Sequence, residues 1–192
     1  LNLVYLSEYF GLPEVANFWE SVVKLNNWHQ DRISKLVVKK LFGTVSGKKI
    51  SILGFAFKAN TNDTRESASI KICKDLLEEG ANLSIHDPKV DSEQIAKDLK
   101  LDEKKSLQVK DSIPENIHEG TWSFSDEIYD SIKNADAVLV LTDWEVYTSI
   151  DWTEVSKLMR KPSWIFDARS IIEPSKIVKS GLNFWRIGDG LN

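Results

Sequence analysis

The segment Ile50-Ser51-Ile52-Leu53-Gly54-Phe55-Ala56-Phe57 restricts the possible folds of this chain more than any other. It is too apolar for a strand with one wet face, so it belongs at the centre of a sheet covered on both sides. A polar loop follows, and Ile70, Ile72, Cys73, Leu76 and Leu77 then recur at helical spacing. Asp63 and Glu66 stand at the spacing of a capping box, which predicts a helix N-terminus at that point. Strand, loop and helix in this order aim backbone N–H groups and a positive helix end at the space above the strand's carboxyl end. Open α/β sheets bind ligands there. With Lys58 and Arg65 flanking the same space, the expected ligand is an anion, a phosphate in particular.

The glycines narrow the kind of phosphate site. A dinucleotide cradle needs G-x-G-x-x-G so that backbone can touch the pyrophosphate; here the three positions hold Gly54, Ala56 and Ala59. Phe57 and Lys58 put large side chains where a tight dinucleotide turn has none, so side chains rather than a glycine cradle are expected to grip the ligand. The same residue types also suit a buried strand followed by an ordinary capped helix.

The remainder of the chain alternates strand and helix patterns. Strands are expected at Asn82–His86, Thr121–Ser125, Ala137–Thr142, Trp164–Asp167 and Asn183–Ile187, with helices near Ser92–Leu99, Asp126–Lys133, Asp151–Met159 and Pro174–Ser180. Lys100 to Gly120 is polar and aperiodic and reads as a surface excursion. Six strands separated by helices predict an α/β fold with a doubly wound, mostly parallel sheet. A long helical segment precedes it: Val15, Phe18, Trp19, Val22 and Leu25 recur at three- and four-residue intervals after Pro13, and the period resumes at Ile33, Leu36, Val37 and Leu41. An unbroken helix from Glu14 to Phe42 would be ~43 Å long at ~1.5 Å per residue, more than a small domain can cover. A break near Asn26-Asn27 would instead give two shorter helices. The expected division is a helical unit over residues 1–43 and a sheet domain over 44–192.

Charge and cysteine usage exclude several functions. Twenty-five basic residues are scattered among 29 acidic ones, for a net charge of −4, which disfavours a nucleic-acid surface. No apolar run is long enough to span a membrane, and no signal-peptide pattern opens the chain. One cysteine rules out an intrachain disulfide framework and fits a reducing, cytoplasmic setting. His29, His86 and His118 are too dispersed for a metal site.

Four separated motifs carry a family resemblance. Gly54-Phe55-Ala56-Phe57-Lys58, Asp63-Thr64-Arg65-Glu66-Ser67, Asp87-Pro88-Lys89-Val90 and Phe166-Asp167-Ala168-Arg169 together resemble the carboxyl-terminal portion of the UDP-glucose 6-dehydrogenase family. Leu1 to Leu6 resembles the segment that follows that family's catalytic cysteine, and the start at Leu1 suggests an excised piece. The resemblance implies a Rossmann-like UDP-sugar-binding domain in which Phe57, Lys58 and Arg169 contact the UDP-sugar and Arg65 reaches NAD held by another domain. It also implies homo-oligomerisation through residues 1–43, and, in the whole enzyme, oxidation of UDP-glucose to UDP-glucuronate through a cysteine thioester. That cysteine would lie upstream of Leu1, so this chain is expected to be inactive alone and to contain no catalytic residue. Specificity for GDP-mannose or a UDP-N-acetylhexosamine, or a purely dimerising role, are the alternatives.

Four further residues have readings that rest on their chemistry alone. Cys73 falls on the apolar face of its helix, as a buried hydrophobe does. Asp87 ends the second strand, where dinucleotide folds keep a ribose-binding acid; without the glycine fingerprint a structural turn with Pro88 is favoured. Trp144 can line a nucleotide pocket or pack. Arg169 follows a buried strand at the ligand edge of the sheet, a position suited to an anion contact.

Overall fold

Six short apolar runs form one parallel sheet in the computed structural model, which describes residues 2–100 and 120–189. The elements in order are α1 (Asn2–Tyr9), α2 (Pro13–Lys40), β1 (Lys49–Leu53), α3 (Ala68–Glu78), β2 (Asn82–His86), α4 (Ser92–Leu99), β3 (Thr121–Phe124), α5 (Ile128–Ile132), β4 (Ala137–Val140), α6 (Trp152–Leu158), β5 (Trp164–Asp167), α7 (Pro174–Lys179) and β6 (Asn183–Arg186). The sheet order is β3-β2-β1-β4-β5-β6, and every pairing is parallel. This is the doubly wound order, with its switch point between β1 and β4. Most of the excursion expected over Lys100 to Gly120 lies outside the described residues.

Burial explains why the strands were so apolar. Ile50, Ile52, Leu53, Ala137, Val138, Leu139, Val140 and Ile165 are fully buried, because helices cover both faces of a parallel sheet. The strand interiors also hold hydroxyls, which are paired: Ser51 Oγ lies 2.6 Å from Ser131 Oγ, and Ser131 donates to the Ser84 carbonyl at 2.9 Å. Removing one large aliphatic side chain from this layer, for example Ile52→Ala, should cost about 2–5 kcal/mol.

The long helix is continuous. Pro13 opens α2 at its first turn, Lys39 and Lys40 close it, and the 28 residues span ~42 Å. Asn26 and Asn27 do not break it, since their weak helix propensity is a small term beside the packing of the helix that contains them. Its carboxyl half is tied to the sheet domain: Val37 and Leu41 are buried in the core, Ser34 donates to Asp75 on α3 at 2.8 Å, and Lys71 of α3 pairs with Asp31 at 2.8 Å. Its amino half packs on α1 through the turn at Gly11-Leu12, where the Leu12 N–H reaches the Ser7 carbonyl at 2.8 Å. Tyr9, Phe10, Phe18, Leu25 and Trp28 stay exposed along these two helices.

Candidate functional site

The carboxyl edge of β1, β4 and β5 is organised by Gly54. Its φ is +97°, and a Cβ added there would stand 2.4 Å from the Thr142 Cβ and 2.7 Å from the Thr142 backbone nitrogen. Only glycine fits, and the close approach locks the loop after β1 against the loop after β4. Thr142 Oγ1 then donates to the Ala56 carbonyl at 2.7 Å, Ser67 Oγ to Phe55 O at 2.8 Å and Ser69 Oγ to Gly54 O at 3.1 Å.

The first four N–H groups of this loop, from Gly54 to Phe57, are also occupied. Gly54 N–H donates to His86 O at 2.9 Å and Phe57 N–H to Asp63 O at 2.9 Å. Phe55 and Ala56 N–H both donate to Asp87 Oδ2, at 2.7 and 3.0 Å. Trp144 Nε1 donates to the same oxygen at 3.1 Å, and Lys89 and Val90 N–H donate to Asp87 Oδ1 at 2.9 and 3.0 Å. The anion nest anticipated above β1 therefore exists, but a protein carboxylate fills it. Asp87 does make a turn with Pro88, and it does much more. Trp144 is buried and bonded to Asp87, so it packs and does not line an open pocket.

The expected helix start requires a correction. Asp63 and Glu66 do not form a capping box: Glu66 has φ +60°, outside the helical region, and Ser67 is the N-cap, its side chain accepting from Ser69 N–H. Asp63 instead grips Arg65. Its Oδ1 accepts from the Arg65 backbone N–H at 3.0 Å and from Nε at 2.9 Å, and its Oδ2 accepts from a terminal guanidinium nitrogen at 2.8 Å. The Arg65 hydrogen bond holds the Asp63 carboxyl down at about 2. The guanidinium remains almost wholly in solvent, presented outward in a fixed pose.

Side chains facing outward at this edge include the ones singled out by the sequence. Phe57 is 47% exposed, a large fraction for an aromatic in a pinned loop, and Lys58 beside it is exposed. Arg169 comes from the loop after β5, where buried Asp167 accepts from Arg169 N–H at 2.9 Å and from Ile172 N–H at 2.8 Å. Arg169 Nε donates to Leu141 O at 2.7 Å, and a terminal nitrogen reaches Phe57 O at 3.4 Å. The fold thus joins Phe57, Lys58 and Arg169 across 112 residues of sequence, with Arg65 on the same loop. Among the described residues no group of acidic, histidine or cysteine side chains is placed to hold a metal ion, and no helix is long and apolar enough to cross a membrane.

Two further buried titratable side chains do not face outward at this edge. Cys73 is a buried free thiol whose ionisation is pushed far up by loss of solvent, which leaves it inert. His86 is depressed, chiefly by burial; Tyr147 OH lies 3.0 Å from its Nδ1 and donates to its carbonyl at 3.1 Å. Sequence reasoning missed the reach of Asp87 and the Gly54–Thr142 contact. One signal was available: β1-loop N–H groups without a glycine cradle need some other acceptor, and an acid ending the neighbouring strand is the nearest candidate.

Sheet order and ligand edge define a doubly wound domain of the nucleotide-binding class, one whose backbone cradle is closed and whose outward groups are side chains. The chain belongs to the UDP-glucose/GDP-mannose dehydrogenase family, matching its UDP-binding domain over residues 51–174. It is 39% identical over 195 residues to UDP-glucose 6-dehydrogenase 3 of Oryza sativa subsp. japonica, with 100% of this chain and 40% of that protein covered. It is 41% identical over 188 residues to UDP-glucose 6-dehydrogenase of Drosophila melanogaster, covering 98% of this chain and 38% of that protein. The chain therefore spans about 40% of the length of the curated relatives it matches. Its fold is also that of a UDP-glucose dehydrogenase from Pyrobaculum islandicum, with TM-score 0.64 at 20% identity, covering 94% of this chain and 34% of the other.

Proposed function

We propose that this chain supplies the UDP-sugar-binding half of an NAD-dependent UDP-glucose 6-dehydrogenase, with residues 1–43 as a dimerising helical unit and 44–192 as the binding domain. The observation that carries this reading is the convergence of Phe57, Lys58 and Arg169 on one sheet edge where the N–H groups of Gly54 to Phe57 are already bonded. With those donors taken, a diphosphate at that edge calls for cationic side chains, and Lys58 and Arg169 are two at hand. Phe57 offers an aromatic surface beside them. A nucleotide fixed there lets remote binding energy position the sugar carbon for oxidation.

NAD does not fit the cradle of this chain, because Asp87 occupies the donors that a dinucleotide would use. In this reading NAD sits on another domain of the complete protein, and Arg65, held outward by Asp63, reaches across to it. A second copy of the chain covers the exposed aromatic and aliphatic side chains of α1 and α2, a run too large to be left wet on a monomer. The single buried thiol suits a cytoplasmic enzyme.

Calorimetric titration of the chain with UDP, UDP-glucose and GDP tests the assignment. Saturable heat with both uridine nucleotides and weaker heat with GDP is the expected outcome. A stronger GDP response would shift the substrate to GDP-mannose, and no heat with any of the three would leave an interaction module.

A further inference from the structure

We propose that Asp87 is a positioning residue: a built-in anion that closes the β1 cradle to ligand phosphate and thereby sets Phe57 and Lys58 in place for the sugar nucleotide. The inference rests on the reading of Phe57, Lys58 and Arg169 as ligand contacts. Its basis is the hydrogen-bond pattern of one carboxylate. Asp87 is only 4% exposed, and five N–H donors converge on it, from Phe55, Ala56, Lys89, Val90 and the Trp144 indole. An ionised carboxylate has about four lone-pair directions, so no acceptor capacity remains for a ribose hydroxyl.

The position of this residue makes the pattern informative. It directly follows β2 beside β1, the place where a dinucleotide fold keeps the acid that reads ribose. Here the carboxylate turns back toward β1 and takes the donors that would otherwise face a pyrophosphate. One side chain thus removes both halves of a dinucleotide site at once. The fixed Phe55 and Ala56 amides then leave the next two residues, Phe57 and Lys58, to emerge from the loop in a set direction, with Phe57 N–H held by Asp63 O and Phe57 O in reach of Arg169. No cation contacts Asp87 among the described residues; its partners are all neutral donors.

Chemical rescue distinguishes positioning from mere support of the fold. Asp87→Ala removes the carboxylate and leaves a space the size of formate, lined by the same donors. The amide resonances of Phe57 and Lys58 in the 192-residue chain should move or broaden in this variant and return toward their wild-type positions when formate is added, with the wild-type spectrum insensitive to formate. UDP affinity should fall by at least about tenfold and recover with formate, as expected for charge-assisted contacts that have lost their geometry. If Asp87→Ala folds only when formate is present, the carboxylate supports the fold as a whole and the positioning role is overturned. If it folds under neither condition, Asp87→Asn, which keeps one acceptor oxygen, should show the same displacement of Phe57 and Lys58 and the same loss of UDP affinity. Spectra of Phe57 and Lys58 that match wild type, or a displacement that formate leaves untouched, would overturn the inference. Failure of the wild-type chain to bind UDP would instead remove the proposed function, and the formate response of the two amides would still decide the role of Asp87.

Discussion

Replacing Gly54 by alanine should be among the most damaging single changes in this chain, although it adds one methyl group. The backbone there has φ +97°, and the new Cβ would lie 2.4 Å from the Thr142 Cβ, 2.6 Å from its Oγ1 and 2.7 Å from its backbone nitrogen. Holding an L-residue in such a conformation costs about 1–3 kcal/mol. Forcing a methyl group into a packed contact costs about 1–3 kcal/mol more, and displacing Thr142 breaks its bond to the Ala56 carbonyl, worth about 0.5–1.5 kcal/mol. The sum, about 2.5–7.5 kcal/mol, is a large share of the ~5–15 kcal/mol that stabilises a typical domain. Urea unfolding followed by far-UV circular dichroism would measure it. Pairing Gly54→Ala with Thr142→Gly relieves the side-chain clash but neither the backbone contact nor the φ, so stability should return only in part. A loss below about 1 kcal/mol in the single variant, or full recovery in the double, would refute the reasoning.

Lys58→Ala should weaken UDP binding by roughly ten- to a hundredfold, the value of a charge-assisted contact of about 1.5–3 kcal/mol, while leaving the melting temperature unchanged because the side chain is exposed; titration calorimetry and a thermal melt read the two effects. Asp63 should titrate near 2 instead of its ordinary 3.8, measured by NMR of its carboxyl carbon. Because its folded value is depressed, the Asp63–Arg65 contact stabilises fully above the ordinary value and is lost as pH falls through about 2; an inflection near 3.8 would mean that the pair does not persist in solution. Sedimentation should find a species larger than the 21.9 kDa chain, reduced to that mass by Phe18→Asp together with Trp28→Asp, both residues being exposed on α2. A clean monomer for the unaltered chain would contradict the dimer.

The sheet was legible because buried parallel strands must be apolar throughout. Ile50 to Leu53 and Ala137 to Val140 could hardly be anything else, and the shorter strands followed from the alternation around them. The start of α3 was not legible. Asp63 and Glu66 have the spacing of a cap, yet contacts distant in sequence decide the matter: Ser67 and Ser69 reach back to Phe55 and Gly54, and the loop between them closes on Phe57. The same limit applies to Asp87, whose partners Phe55, Ala56 and Trp144 lie 32, 31 and 57 residues away. Residue type announced an acid at the ligand edge, but only the packed loops reveal that it faces inward. Phe57, Lys58 and Arg169 could be singled out as candidate contacts because each follows a readable strand and lies in a motif that carries the family resemblance. Their mutual geometry, with Arg169 bridging Leu141 and Phe57, depends on sheet order.

The central claim is that the edge formed by the loops after β1 and β5 receives UDP through side chains. Titrating the isotopically labelled 192-residue chain with UDP and following every assigned amide tests it most directly. Saturable shifts should cluster at Gly54 to Arg65 and at Arg169, with a dissociation constant toward the millimolar range, since a lone half-site forgoes several kcal/mol at roughly 1.4 kcal/mol per decade. Shifts confined to α2, to α4 or to the far end of the sheet, or no saturable shift at all, would contradict the claim.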